Sequence, residues 1–238
     1  MEMSIINNFK LTNKIKSVNI IKKIFSLLEL KMKLNIIIYN RKYQNHLGIN
    51  INDYEEISGK FKIGGINGYG KEFNLSTNKM IFEGDYINNK RNGIGLEYED
   101  GKIIFKGKYK NNKRNGNGKE YNNDGSIKFE GEYLNGEKHG KGKEYFDNGK
   151  LEFEGEYLNG KKHGKFKEYY SYGSIKFEGE YLNGKKFGKG KEYDIYGKLN
   201  FEGEYLNGER WNGKVYKYGK YLGLIFEGRY LNGGYFQH

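Results

Sequence analysis

From about residue 80 onward, apolar or small residues alternate with charged ones in short runs. Ile127, Phe129, Gly131 and Tyr133 are separated by Lys128, Glu130 and Glu132. A period of two is the mark of a half-buried strand. Leu134-Asn135-Gly136 then carries the Asn-Gly signal of a tight hairpin. Lys141 to Tyr145 returns as a second short strand, and Asp147-Asn148-Gly149 turns the chain into the next run. The pattern predicts β-hairpins. A helix is opposed by the frequent glycines, each costing about 1 kcal/mol relative to alanine in a helix interior.

The hairpin pattern is a repeat. A Phe-x-Gly-x-aromatic phrase begins at Phe82, Phe105, Phe129, Phe153, Phe177, Phe201 and Phe226, in steps of 23, 24, 24, 24, 24 and 25 residues. An eighth, divergent copy leads the series, with Ile57 in the aromatic slot and Gly59, Phe61, Gly64, Gly68, Gly70 and Phe73 at matching offsets. The last copy breaks off after Asn232-Gly233, about half a unit. Such arrays bury the apolar surface of each unit against its neighbours. The expected core is therefore aromatic: Phe129, Tyr133, Tyr145, Phe153, Tyr157, Tyr169, Phe177, Tyr181, Tyr193, Phe201 and Tyr205 in columns, their rings across neighbouring glycine backbones. Phe166 stands where other copies have the glycine of Gly142, Phe187 where they have His139, and Trp211 beside an apparent one-residue insertion. These three read as thickening of the core, or as an exposed aromatic contact for a partner.

The skeleton aromatic-x-Gly-x-aromatic-x-Asn-Gly, then Gly-x-Gly and a further aromatic, resembles the MORN repeat (membrane occupation and recognition nexus) over about residues 56–238. The family's usual period is one residue shorter than the 24 of most copies, which is similar to the MORN-variant repeat. The resemblance implies a mainly β fold: an elongated, single-layer antiparallel sheet of repeated hairpins. It also implies service as a scaffold, dimerisation surface or membrane-proximal module.

Residues 1–55 differ in character. Ile20, Ile21, Ile24, Phe25, Leu27, Leu28, Leu34 and Ile36 to Ile38, interleaved with lysine, have the spacing of short helices. The stretch Ile20-Ile21-Lys22-Lys23-Ile24-Phe25-Ser26-Leu27-Leu28, with Leu34 and a basic-aromatic end at Tyr39 to Tyr43, resembles an F-box, although Val18-Asn19 stands where that family has Leu-Pro. That resemblance implies that Ile20, Ile21, Ile24, Phe25, Leu28 and Leu34 dock a ubiquitin-ligase adaptor while the repeats hold a substrate. Two other readings fit the same residues: a helical cap on the first sheet edge and an amphipathic helix on a membrane surface.

Composition adds limits. The 238 residues include no Cys, no Pro and 36 Gly, with a net charge of +12. The absence of cysteine removes disulfides and thiolate chemistry and fits an intracellular, cytoplasmic setting. No apolar run reaches the roughly 18 residues of a spanning helix. Charge concentrates in residues 1–55 and 104–128. Lys106, Lys108, Lys110, Lys113 and Arg114 read either as a solvated face or as a patch for an anionic, peripherally bound membrane; nucleic acid is the less expected partner. His139 and His163 fall at equivalent turn positions, too few for a metal site. Glu pairs such as Glu130/Glu132 and Glu154/Glu156 repeat as structure does, on the face opposite the aromatics, and no His, Ser or Asp of distinct environment accompanies them. The expectation is a non-enzymatic interaction protein with no cofactor. It would bind a protein partner along the array, with anionic lipid as the runner-up and self-association through the C-terminal edge as a third possibility.

Overall fold

The computed structural model describes residues 59–64, 66–219 and 223–237. The proposed helical segment 1–55, with Ile20, Ile21, Ile24, Phe25, Leu28 and Leu34, lies outside the described residues. Within them every regular element is a strand: β1 (Lys60–Gly64), β2 (Gly68–Asn74), β3 (Met80–Ile87), β4 (Lys90–Glu99), β5 (Lys102–Lys110), β6 (Lys113–Tyr121), β7 (Ile127–Leu134), β8 (Glu137–Tyr145), β9 (Leu151–Leu158), β10 (Lys161–Tyr169), β11 (Ile175–Leu182), β12 (Lys185–Tyr193), β13 (Leu199–Leu206), β14 (Glu209–Gly219), β15 (Gly223–Leu231) and β16 (Gly234–Gln237). They form one open antiparallel sheet in chain order, β1 to β16.

The described residues fall into two compact units, 59–63 with 72–79 in the first and the others in the second. In the first, the rings of Phe61 and Phe73 stack at 5.0 Å and 10°. Its turn is closed by the Asn74 side-chain oxygen, which accepts from the backbone of Ser76 and Thr77. The second unit holds the regular copies.

Each regular copy is a hairpin with a turn of fixed geometry. Asn135 and Gly136 both have positive φ, 53° and 97°, the type I′ pair whose twist matches that of the strands. Successive turns are tied together: the Gly136 amide donates to the Arg114 carbonyl and the Gly160 amide to Lys138, each at 2.9 Å. Between copies the chain turns again, with the Gly149 amide donating to the Phe146 carbonyl. The shorter step of 23 is a matter of turn length. Glu99 pairs with Lys102 around Asp100-Gly101, a two-residue turn. In the next copies Tyr145 pairs with Leu151, so five residues intervene where four separate Tyr98 from Ile103.

The core is one ladder of rings on one face of the sheet. Phe82, Phe105, Phe129, Phe177 and Phe201 are fully buried, and Tyr86, Tyr109, Tyr133, Tyr157, Tyr181 and Tyr205 nearly so. Each Phe meets the Tyr of its own copy and that of the next edge to face; Phe129, for example, lies 5.6 Å from Tyr133 and 5.5 Å from Tyr157. Such pairs contribute roughly 0.5–1.5 kcal/mol beyond the area they bury. The ring lies on a glycine pair: a Cβ on Gly142 would stand 2.7 Å from the Phe129 ring, and one on Gly118 2.4 Å from Phe105. These glycines are space for an aromatic.

Several expectations need correction. Tyr145, Tyr169 and Tyr193 do not join the columns. Glu144 pairs with Phe129 and so shares its face, which puts Tyr145 on the other one. Phe166 does not thicken the ladder but takes a rung of it, between Tyr157 at 5.3 Å and Tyr181 at 5.2 Å, over Gly155. Phe153, the ring expected there, is only partly buried beside it. Phe187 is 40% exposed and adds no core. At Trp211 there is a shortening, since two residues (Trp211, Asn212) stand opposite Glu204 where three (139–141) stand opposite Glu132. The surplus length lies further on, between Gly213 and Phe226.

Candidate functional site

The two faces of the sheet carry different chemistry, and the register assigns each side chain to one of them. On the aromatic face a cation sits over each Phe ring: Arg91 on Phe82, Arg114 on Phe105, Lys138 on Phe129, Lys162 on Phe153, Lys186 on Phe177 and Arg210 on Phe201. From Arg91 to Lys186 a glutamate stands six residues after each cation, and most of these glutamates link neighbouring copies. Arg114 bonds Glu97 at 2.6 Å and Glu120 at 2.9 Å; Lys138 reaches Glu120 at 3.8 Å and Glu144 at 2.9 Å; Lys162 reaches Glu144 at 3.6 Å. The row is interrupted at Glu168, which pairs with Lys176 and Tyr181, and resumes with Lys186, Glu192 and Arg210. Burial would raise the Glu144 pKa, but the hydrogen bond and charge of Lys138 outweigh it and hold the carboxyl below its ordinary value. Glu97 and Glu192 behave likewise against Arg114 and Arg210. Most of this face is covered: rings below, and above them an ion network broken at Glu168 and opened at a smaller cavity beside Arg210 and Tyr230. Sequence reasoning missed the network, whose signal was a basic residue nine positions after each Phe from Arg91 to Arg210.

The opposite face is open. A groove of about 1550 Å³ crosses it from Ile94 on β4 to Glu204 on β13, floored by backbone at Gly107, Gly131 and Gly179. Its walls come from the same four places in each copy. From Phe153 and Phe177 these are two glutamates on the first strand and two lysines on the second, Glu154, Glu156, Lys165 and Lys167 and their equivalents, while the copy from Phe129 lines the groove with Glu130, Lys141 and Lys143. Cross-strand pairing brings opposite charges together, Lys119 to Glu130 at 2.9 Å and Lys191 to Glu202 at 3.1 Å. The tyrosines absent from the core are here. Tyr145 donates to Glu130 at 2.5 Å, Tyr169 to Glu154 at 2.6 Å and Tyr193 to Glu178 at 2.6 Å. The hydrogen bonds from Tyr145 and Lys119 lower the Glu130 pKa, while burial and the bond to Glu178 push the Tyr193 phenol up to about 12. Leu134, Leu158, Leu182 and Leu206, each 37–43% exposed, follow the glutamates on the groove side of their strands. Fixed charges, hydroxyls and an apolar rim can hold a ligand by ion pairs and hydrogen bonds.

The predicted basic cluster is divided between the faces. Lys106, Lys108 and Lys110 alternate along β5 on the groove side, and register sets Lys119 opposite Lys106 and Lys113 opposite Lys110. Arg114 goes to the aromatic face and is committed to Glu97 and Glu120. His139 and His163 lie within strands β8 and β10, not in turns, half-buried, and each has a buried Nδ1 without a hydrogen-bond partner. Among the described residues no cluster of three or more His, Asp or Glu could hold a metal ion.

With this geometry in view, the MORN repeat family model matches residues 82–103, 105–127, 129–150, 153–165 and 177–194. The chain therefore carries MORN repeats at five positions, in strands β3 to β12, and the same hairpin continues beyond them in β13 and β14. MORN repeats are commonly protein- or lipid-binding scaffolds. No curated protein sequence matches the chain. Two solved structures are similar: a crystal structure of TarM, at 17% identity, covering 55% of this chain and 27% of that one with a TM-score of 0.31, and a mutant of S. aureus TarM in complex with fondaparinux, alpha-GlcNAc-glycerol and UDP, at 15% identity, 66% and 27% coverage and a TM-score of 0.27. This chain thus spans about a quarter of those chains, and likenesses at such scores carry no argument here.

Proposed function

We propose that this protein is a non-enzymatic scaffold that binds a protein partner in the groove of the charged face. The observation that carries the reading is the division of labour between faces. The aromatic face is mostly covered by its own rings and ion pairs, while the groove runs past equivalent residues of successive copies on a face that also exposes Leu134, Leu158, Leu182 and Leu206. A surface so repeated suits an extended polypeptide, which meets the same chemistry at each step. The lipid reading rested on a cluster that included Arg114, and that residue is turned away and paired.

The test is affinity capture with the full chain and with Glu156→Trp, which places a large ring in the middle of the groove. The partners should be lost with the variant, at unchanged circular dichroism. Recovery of the same partners by both proteins would show that binding lies elsewhere. Binding to anionic vesicles that collapses with added salt would instead favour lipid.

A further inference from the structure

Among the copies from Phe82 to Phe201, one reverses the charge of the groove's first strand. Where the copies from Phe129, Phe153 and Phe177 present Glu, Glu, Lys and Lys, the copy from Phe105 presents Lys106, Lys108, Asn117 and Lys119. The next position toward the hairpin, leucine in those copies, is Lys110, opposite Lys113. The change is not offset nearby. Lys106 stands opposite Lys119 on one side, a like-charge cross-strand pair, and opposite Leu96 on the other. Lys108 stands opposite Ile94, which is 59% exposed. Of the groove lysines here, Lys119 has a carboxylate, that of Glu130. Tyr121 shows the same gap. Its counterparts Tyr98, Tyr145, Tyr169 and Tyr193 each donate to a glutamate one residue after their Phe, and in this copy that place is held by Lys106. The walls of β5 and β6 are thus built to surround carboxylates that the chain itself does not supply.

We propose that this stretch is the docking station for an acidic, extended polypeptide segment. Its carboxylates would sit by Lys106, Lys108 and the Tyr121 hydroxyl, with an apolar side chain against Ile94. The idea rests on the groove being the binding surface and adds the chemistry of its occupant. Charge complementarity selects a polypeptide over a membrane or a nucleic acid. Glu130 and Glu132 border the station on one side, and Glu83 and Asp85 lie beyond β4 on the other. A wide anionic surface would be pressed onto those carboxylates, whereas a segment one strand wide fits between them. Further along, the balanced Glu and Lys rows repel neither sign, so the station sets where the occupant is anchored.

The experiment uses the full chain and a Lys106→Glu/Lys108→Glu double variant, which installs the side chains that other copies already carry. The probe is a fluorescein-labelled ten-residue peptide alternating Glu and Leu, with an alternating Lys-Leu peptide and phosphatidylserine vesicles as comparisons. The acidic peptide should bind the native chain in preference to the basic one, and the double variant should weaken it about ten-fold or more, as loss of two ion pairs at a partly screened site implies. Equal binding of the acidic peptide to both proteins, or no preference between the peptides, would overturn the station. If peptide binding were still abolished by Glu156→Trp, the groove reading would survive that loss. Failure of both peptides to bind at all would count against groove and station together. Vesicle binding that depends on the two lysines, without acidic-peptide binding, would assign the station to lipid and overturn the proposal.

Discussion

At the scale of single residues, the decisive feature is the glycine under each ring. A Cβ at Gly142 would stand 2.7 Å from Phe129 and 3.0 Å from Tyr157. Gly142→Ala should therefore destabilise by about 1–3 kcal/mol, the usual cost of overpacking, read as a lower midpoint in urea unfolding. Truncating the ring itself is worse. Phe129→Ala removes a fully buried side chain and should cost about 3–5 kcal/mol. Phe166 gives the converse test. Phe166→Gly restores the glycine of the other copies and frees the rung for Phe153, so it should cost well below the roughly 3 kcal/mol of a plain ring deletion. A further Phe153→Ala change should then produce the full loss. If Phe166→Gly alone is as damaging as Phe129→Ala, the exchange of rings is not available to the chain.

Individual elements add the electrostatics. On the aromatic face, Lys138 seals Phe129 and serves both Glu120 and Glu144. Lys138→Met keeps much of the packing and leaves two half-buried carboxylates short of a cation, with an expected loss of about 1–3 kcal/mol. The same carboxylates set the response to acid. Glu97, Glu144 and Glu192 are held below their ordinary values in the folded chain. Their contribution is therefore complete above the unfolded carboxylate range near pH 4.3 and is lost as pH falls through the lower folded values. Tyr193 works in the opposite sense, because its folded pKa is raised to about 12. Its contribution is complete below the unfolded phenol value near pH 10 and declines above it. Thermal melts from pH 2 to 12 should show both limbs, and Lys138→Met should flatten the acid one.

The hairpins themselves were legible in the sequence, because alternation, Asn-Gly turns and a fixed period all point the same way. The assignment of the third aromatic to a face was not. Tyr145 keeps the alternating parity of its strand, but its face is set by cross-strand register, Lys138 opposite Tyr133 and Glu144 opposite Phe129, which the pattern of one strand does not display. Phe166 failed for a related reason, since a ring arriving from the opposite strand looks in sequence like added bulk. The groove was invisible until cross-strand register grouped Glu130, Lys119 and Tyr145.

For the molecule as a whole, each copy touches its neighbours through a backbone strand ladder, a ring contact, ion pairs and a turn-to-turn hydrogen bond. In such a quasi-one-dimensional array stability is close to a sum over units and interfaces. Deleting residues 129–152 joins a copy ending at Lys128 to one starting at Phe153, preserving the period. The shortened chain should fold and melt as one species, at a lower denaturant midpoint. Deleting 12 residues instead would remove one strand, place the wrong parity against the ladder and prevent folding. Circular dichroism and urea titration separate the two cases.

Lys106 and Phe105 are adjacent in the chain yet belong to opposite sides of it, one displayed and one entombed. Mutations on the displayed side can therefore accumulate without touching the buried ladder of rings. Each unit can be rewritten separately, as the copy from Phe105 shows. An array of this design is an addressable strip, on which a new ligand is acquired by editing a few letters at one position while every other position goes on reading as before.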